Sequence, residues 1–207
     1  MARPRPLGFD PALGDAEVSQ LKPKARSVNQ DGSDDGFVPD TFYRADVNDV
    51  GQTRISVSVP PARLEATHLA LAQALDGPVG VLYAQMVDRV AGKQLPKPKR
   101  YLALEKSIPV VVGALSSCRT LVYSDARHQL WLRGRMREQL VLDELGMIHC
   151  YPDDPSFRDV LASLGIPEGT GKNLDDRDYV QVDFKAAADV EEAQLMRSLG
   201  MAPLPEE

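Results

Sequence analysis

The sequence predicts an α+β fold in which three or four helices pack on one face of an antiparallel sheet. The first observation is the stretch at about 119–151, where short apolar runs alternate with turn residues. This pattern is typical of an antiparallel meander of up to four strands. The second is a set of further strand patterns near 53–59, 79–83 and 179–184. The third is the helical spacing of apolar residues in separate segments of the chain.

Length and composition indicate one domain with a flexible beginning. The chain has 207 residues, enough for a sizeable core, and 43% of them are hydrophobic. Residues 1–51 contain several prolines and few large apolar side chains, so we expect an extended or disordered N-terminal arm. The predicted α+β domain covers residues 52–202, and residues 203–207 form a short acidic tail.

The predicted domain begins with a strand followed by a helix. Ile55, Val57 and Val59 alternate with polar residues and therefore share one face of the strand at 53–59. Two prolines then end the strand, and apolar residues at helical spacing predict a helix over 62–76.

The middle of the chain gives weaker signals. Residues 79–83 favour a second strand, and residues 84–92 are compatible with a short helix. The basic, proline-containing segment 93–100 is interpreted as a solvated loop or as a loop that binds an anion or a partner. Residues 101–117 are compatible with either a buried strand or a helix.

The residues after the meander carry the strongest local helix signal. Asp154 can cap a helix that has Pro155 at its first position, and Gly165 stands where a C-terminal glycine belongs. The combination of Asp189 and Glu192 fits a capping box and predicts the start of the last helix.

The net charge of −6 is unevenly distributed. Of the 24 basic and 30 acidic residues, only 5 basic but 15 acidic residues lie in 143–207. This acidic third is either a solvated face or a docking surface for a basic partner. The overall negative charge argues against nucleic acid as a partner.

Several classes of protein lack support in this sequence. No apolar run approaches the roughly 18 residues of a membrane span, and no apolar segment follows Arg3 and Arg5 as in a signal peptide. With only two cysteines we predict a reducing, cytoplasmic compartment and no disulfide framework. Zinc-ligand spacings are absent, and the glycine-rich residues 169–172 lack the rest of a phosphate-binding loop. We therefore predict neither a metal nor a cofactor.

Two of the three histidines are interpreted as structural. His68 lies on the apolar stripe of its predicted helix, where a histidine is usually packed and hydrogen-bonded. His149 is next to Cys150, which suggests a thiol–imidazole pair. Adjacent residues of a strand point to opposite faces, however, so His149 cannot activate Cys150 if this segment is a strand.

A possible catalytic group lies at one predicted turn of the meander. Asp125, Arg127 and His128 bring a carboxylate, a guanidinium and an imidazole together, and such groups can perform acid–base chemistry. Turn propensity also explains the aspartate at this position. The group is thus an alternative catalytic site and not the leading interpretation.

A cluster of arginines around the single tryptophan predicts a binding surface. Trp131 and Arg133 are two residues apart and lie on the same face of a strand. Arg135 and Arg137 follow around the turn at Gly134. Arginine beside an exposed aromatic residue is typical of protein interface hot spots.

By elimination, the leading interpretation is a non-enzymatic, cytoplasmic protein-binding module. Such a module would be a small bacterial immunity protein, an adaptor or a regulatory protein. It would act through the arginine–tryptophan surface and the acidic C-terminal third, on another protein whose identity the sequence does not give. One alternative is an enzyme of unrecognised family, built on the group at the turn. Another is a structural component of a larger assembly, in which self-assembly is possible and the N-terminal arm becomes ordered.

Overall fold

The computed structural model describes residues 9–10, 21–182 and 185–205. Its main feature is an eight-stranded sheet with the order β11-β6-β5-β7-β8-β9-β4-β3. All neighbouring strands of this sheet are antiparallel. Its strands are β3 (Phe42–Val47), β4 (Thr53–Ser58), β5 (Val79–Val87), β6 (Gln94–Lys106), β7 (His128–Arg133), β8 (Gln139–Leu142), β9 (Ile148–Tyr151) and β11 (Ala202–Pro203).

Helices cover one face of this sheet. The helices are α1 (Pro61–Gln73), α2 (Ile108–Ser116), α3 (Arg119–Ser124), α4 (Pro155–Ser163) and α5 (Lys185–Leu199). Helices α2 and α3 each contact α1 and α5, while α4 packs on α1. The α+β fold, an antiparallel sheet with helices packed on it, is therefore confirmed.

The core lies between the sheet and the helices, as the two-residue periodicity of strands requires. Val81, Leu132 and Leu140 are opposite one another on neighbouring strands and are almost completely buried. Leu71 of α1 and Leu195 of α5 belong to the same core cluster. The residues between the inward ones point to the opposite face of the sheet, which is called the open face below.

The predicted meander is shorter than expected. Its strands are β7, β8 and β9, whereas the first part, Arg119–Ser124, is the short helix α3. The side chains of Leu121, Val122 and Tyr123 are all buried, so this run has no wet side. A short run that is apolar on all sides has no periodicity to distinguish a helix from a strand.

The segment before α2 also differs from the prediction. Residues 84–87 continue β5 instead of forming a helix, and residues 94–100 belong to the long strand β6 instead of a loop. Pro96, Lys97 and Pro98 lie near the edge of the sheet, where such residues discourage pairing with other chains. Residues 108–116, which were compatible with either structure, form α2.

The second part of the predicted N-terminal arm is built into the domain. Strand β3 forms the edge of the main sheet by pairing with β4 along its whole length. Phe42 and Tyr43 are buried, which supplies the apolar contact that orders this segment. The prediction for residues 1–8 and 11–20 lies outside the described residues.

A second, three-stranded sheet has the order β1-β10-β2, with β1 (Phe9–Asp10), β2 (Ala25–Ser27) and β10 (Tyr179–Val182). The predicted strand near 179–184 is thus present, but over 179–182 it joins this small sheet and not the main one; residues 183–184 lie outside the described part. Because α5 already extends from Lys185, Asp189 and Glu192 are inside the helix and do not cap it.

The predicted N-cap of α4 and the predicted C-terminal tail can also be compared with the structure. Asp154 is the N-cap of α4, and its carboxylate accepts a hydrogen bond from the backbone N–H of Ser156, as the sequence predicts. Part of the predicted tail is the short strand β11, which pairs with β6. None of the helices described here is both long and apolar enough to cross a membrane.

Candidate functional site

Two of the four predicted partner-binding residues lie on the open face. In β7, His128, Leu130 and Leu132 are buried, and the alternating residues Trp131 and Arg133 point to the other side. Arg135 and Arg137 are exposed in the turn between β7 and β8. The structure therefore brings all four to one end of β7, with the tryptophan and the first arginine on the same face.

A shallow groove surrounds Trp131. Leu102, Leu82 and Trp131 are directly opposite one another on β6, β5 and β7, so their side chains form one apolar row across the open face. Each of the three is only half-buried, and neighbouring Leu104 is 61% exposed. The groove lining consists of Gly80, Leu82, Leu102, Leu104, Trp131, Leu132, Arg133 and Gln139.

Gly80 leaves the space that makes this groove. It lies in β5 opposite Arg133 of β7, and a Cβ atom placed there would be 3.4 Å from Leu104 Cδ2. Glycine inside a strand often marks a position where another group approaches the backbone closely. With any larger residue at this position, a side chain would stand between Leu104 and Arg133.

The arginines around the groove have no partners within the described chain. The guanidinium groups of Arg133, Arg135 and Arg137 form no hydrogen bond or ion pair with a described residue. By contrast, the Trp131 indole N–H donates to Gln129 Oε1 at 3.2 Å, which fixes the ring on the open face. The site thus combines an oriented aromatic ring with three unpaired cations.

The other half of the open face carries a polar network instead of an apolar groove. His149 Nδ1 is 2.9 Å from Ser56 Oγ, and His149 Nε2 is 3.4 Å from Asp143 Oδ2. Ser56 in turn donates to Asp46 at 3.0 Å, and Arg54 donates to Asp46 at 2.6 Å. The Ser56 hydroxyl has a single hydrogen, which it donates to Asp46. In the contact between Ser56 and His149, the imidazole N–H must therefore be the donor and the hydroxyl oxygen the acceptor.

In this network a serine contacts a histidine, which contacts a carboxylate, as in some catalytic sites. Here, however, the three groups have a structural role. Ser56 is only 2% exposed, and its hydroxyl hydrogen is directed to Asp46 and not to His149. Burial tends to raise the pKa of Asp143, but hydrogen bonds from His149 and from the backbone N–H of Met147, together with nearby positive charge, lower it overall. The network therefore holds β4, β9 and the β8–β9 turn together, and no nucleophile is presented to solvent.

The alternative catalytic residues Asp125, Arg127 and His128 do come together, but inside the protein. The side chains of all three are fully buried. Arg127 donates to Asp125 at 2.6 Å, and the His128 ring stacks on the Tyr83 ring with centroids 4.8 Å apart. Because these three side chains are not exposed to solvent, a substrate could not contact them in this conformation.

This buried group belongs to a larger ion network that joins α5 to the sheet. Arg89 donates to Asp189 at 2.9 Å and to Glu192 at 2.7 Å, and Arg127 also contacts Asp189 at 3.1 Å. Burial tends to raise the pKa of Asp125, but the neighbouring His128 and the two arginines lower it overall. The sequence gives no sign of this network, because Arg89 and Asp189 are 100 residues apart.

Among the described residues, the cysteines provide no reactive thiol and no metal-binding group is present. Cys118 and Cys150 are both buried and free, and burial raises the pKa of each thiol, for Cys118 to about 11. As expected for a strand, His149 and Cys150 lie on opposite faces of β9, since His149 is opposite Ser56 and Cys150 opposite Ile55. In the described part of the chain, no three His, Cys, Asp or Glu residues are grouped so that they could hold a metal ion.

Comparisons with protein-family models, with characterised proteins and with solved structures find no match to this chain.

Proposed function

We propose that this protein is a non-enzymatic module that binds another protein through the open face of its main sheet. The contact surface is the groove around Trp131, together with Arg133, Arg135 and Arg137. The observation that carries the proposal is the combination of a half-exposed, oriented tryptophan with three arginines that have no partner among the described residues. Tryptophan and arginine are the residue types that contribute most to hot spots.

The apolar row beside the tryptophan supports this proposal. Leu82 and Leu102 are half-exposed, and Leu104 is 61% exposed. Exposed apolar side chains that adjoin one another, with polar residues at the rim, are a recognised feature of binding surfaces. Among the described elements, none covers this end of the sheet.

The class of module is part of the proposal. An immunity, adaptor or regulatory protein needs a rigid surface and no reactive centre, and the buried state of Asp125, Arg127 and His128 gives the enzymatic alternative no support. A cytoplasmic location is proposed because both cysteines are free thiols. The acidic third of the chain remains a candidate for a second contact with a basic partner.

The test compares two exposed positions on opposite sides of the molecule. A photoreactive amino acid replaces Leu104, in the groove, or Val190, which is 68% exposed on α5. Each variant is expressed at natural level in the cells that normally produce the protein, and adducts are identified by mass spectrometry. Position 104 should give one abundant adduct with a single protein, and position 190 should not give that adduct.

Three outcomes are informative. The same adduct at both positions would indicate collision without a defined surface and would contradict the proposal. The absence of an adduct at position 104 would also contradict it. If the adduct at position 104 is a second copy of this chain, the open face serves self-assembly, which supports the structural alternative instead.

A further inference from the structure

We propose that the groove on the open face accepts one large apolar side chain of the partner, and that a carboxylate next to this side chain pairs with Arg133. This inference rests on the proposed function, because it specifies the chemistry of the partner at the same surface. The inference describes the short segment of the partner, containing an acidic and an apolar residue, that would bind in the groove.

The shape of the groove argues for a single inserted side chain. Its floor is the backbone at Gly80, and its walls are Leu104 on one side and Leu82, Leu102 and Trp131 on the other. These walls are apolar, so an aliphatic or aromatic group would lose water on insertion without leaving a polar atom unpaired. A peptide backbone lying there would have its N–H and C=O groups against leucine side chains, which costs free energy.

The charge of the groove argues for a carboxylate beside that side chain. Among the lining residues, Arg133 is the only one that carries a charge. Its guanidinium has no partner among the described residues, and the same holds for Arg135 and Arg137 in the adjoining turn. An arginine guanidinium matches a carboxylate in geometry as well as in charge, because it can donate two parallel hydrogen bonds.

The relative positions of Gly80 and Arg133 also determine how far apart the apolar side chain and the carboxylate of the partner must be. Gly80 and Arg133 are direct cross-strand neighbours, so the floor of the groove and the base of the arginine are one strand apart, roughly 5 Å. A carboxylate one or two residues from the apolar side chain can reach this distance in an extended segment. The inferred partner motif is therefore Leu, Met, Phe or Trp with Asp or Glu within two positions.

The experiment is a selection of displayed random 12-residue peptides on the full-length chain. Selections are run in parallel on the parent protein, on Gly80→Val, which fills the groove, and on Gly113→Val as the matched control. A Cβ at Gly113 of α2 has no atom within 4 Å, so the control changes a glycine to valine away from the open face. Gly80 lies in a strand, where valine is a favoured residue, and circular-dichroism melts check that all three proteins fold.

We expect the parent and Gly113→Val to enrich peptides with the inferred motif, and Gly80→Val to reduce the affinity of those peptides by about thirtyfold, as loss of a hot spot would. Arg133→Glu should remove the preference for acidic residues while keeping the preference for apolar ones. Peptides that depend on Gly80 but show no acidic preference would overturn the carboxylate part of the inference and leave the proposed function intact.

Two other results would overturn the whole inference. One is an absence of enriched peptides on the parent chain. The other is enrichment that Gly80→Val leaves unchanged. Neither decides the proposed function, which is tested separately by the adducts at positions 104 and 190. If Gly80→Val fails to fold, Gly80→Ala with Leu104→Ala replaces it, and unchanged peptide affinity in that variant overturns the inference equally.

Discussion

At the scale of single residues, two fully buried histidines contribute to the acid sensitivity of the protein. Burial lowers the pKa of His68 and His128 to about 3. In an unfolded chain the pKa of histidine is near 6.5. Between these two values the unfolded chain binds protons that the folded protein does not, so this contribution to stability is present above about pH 6.5 and is lost as the pH falls toward 3.

We therefore predict that His128→Phe makes the protein less sensitive to acid. Phenylalanine keeps a ring stacked on Tyr83 and removes a group that titrates only when the chain unfolds. Each of the two histidines should contribute about 1.4 kcal/mol per pH unit to the slope of the unfolding free energy below about pH 6. Urea unfolding at several values between pH 4 and pH 6.5 measures this slope. An identical slope in parent and variant would show that His128 titrates normally in the folded protein.

Side-chain direction could be predicted at this scale, but partners distant in the sequence could not. The two-residue period of a strand correctly separated His149 from Cys150. The true neighbour of His149 is Ser56, which is 93 residues away and becomes adjacent only because β4 pairs with β9. Likewise, local turn propensity placed Asp125 near Arg127, but their burial depends on the distant α5.

At the scale of elements, the N-cap of α4 is the best-defined local interaction. Asp154→Ala should reduce the free energy of unfolding by about 0.5–2 kcal/mol, because the backbone N–H of Ser156 loses its acceptor. Asp159→Ala, at an exposed position inside the same helix, is the control and should have little effect. Urea unfolding measures both variants. Equal effects of the two would contradict the capping role, and lost partner binding with unchanged stability would make Asp154 a binding residue.

The edge strand β3 gives a second prediction at this scale. Phe42 is 3% exposed, and its ring lies close to Gly171. Phe42→Ala should therefore cost about 3–5 kcal/mol, as for a phenylalanine inside a core. Val47→Ala in the same strand is a suitable control, since Val47 is 60% exposed. A loss below about 1 kcal/mol for Phe42→Ala would show that this segment is a peripheral arm after all.

Elements with a clear period were predicted well, and those without one were not. The strand at β4 and the helix α1 alternate apolar and polar residues with the correct periods, and both are present. Residues 121–124 of helix α3 are all buried, and this run looked like a strand. Strand β6 looked like a loop because prolines and lysines near a sheet edge resemble loop residues. In both cases the structure depends on contacts with residues distant in the sequence. The local sequence pattern carries no information about these contacts.

At the scale of the whole molecule, the two faces of the main sheet have different roles. One face is sealed by helices, and a buried ion network fixes α5 to it through Arg89 and Arg127. The other face has a closed polar network around His149 on one half and an apolar groove around Trp131 on the other. Within the described part of the open face, the groove end combines guanidinium groups that have no partner with accessible apolar surface. The central claim is therefore that this end of the open face is where another protein binds.

The most direct test is the affinity of the double variant Arg133→Glu/Arg135→Glu for the protein captured at position 104. The guanidinium groups of both arginines are exposed and have no partner among the described residues, so the thermal midpoint should not change. Arg137 is left unaltered because its φ of 70° makes substitution a backbone perturbation as well. The control is Lys172→Glu/Arg197→Glu, which changes the net charge equally at exposed positions that do not line the groove.

Calorimetric titration at two salt concentrations provides the measurement. We expect Arg133→Glu/Arg135→Glu to weaken binding by at least about 2 kcal/mol, roughly thirtyfold, and by more at low salt, where the repulsion is less screened. The control variant should bind with nearly the parent affinity. Equal affinity of parent and Arg133→Glu/Arg135→Glu, or an equal loss in both double variants, would contradict the claim that this end of the open face is the binding surface.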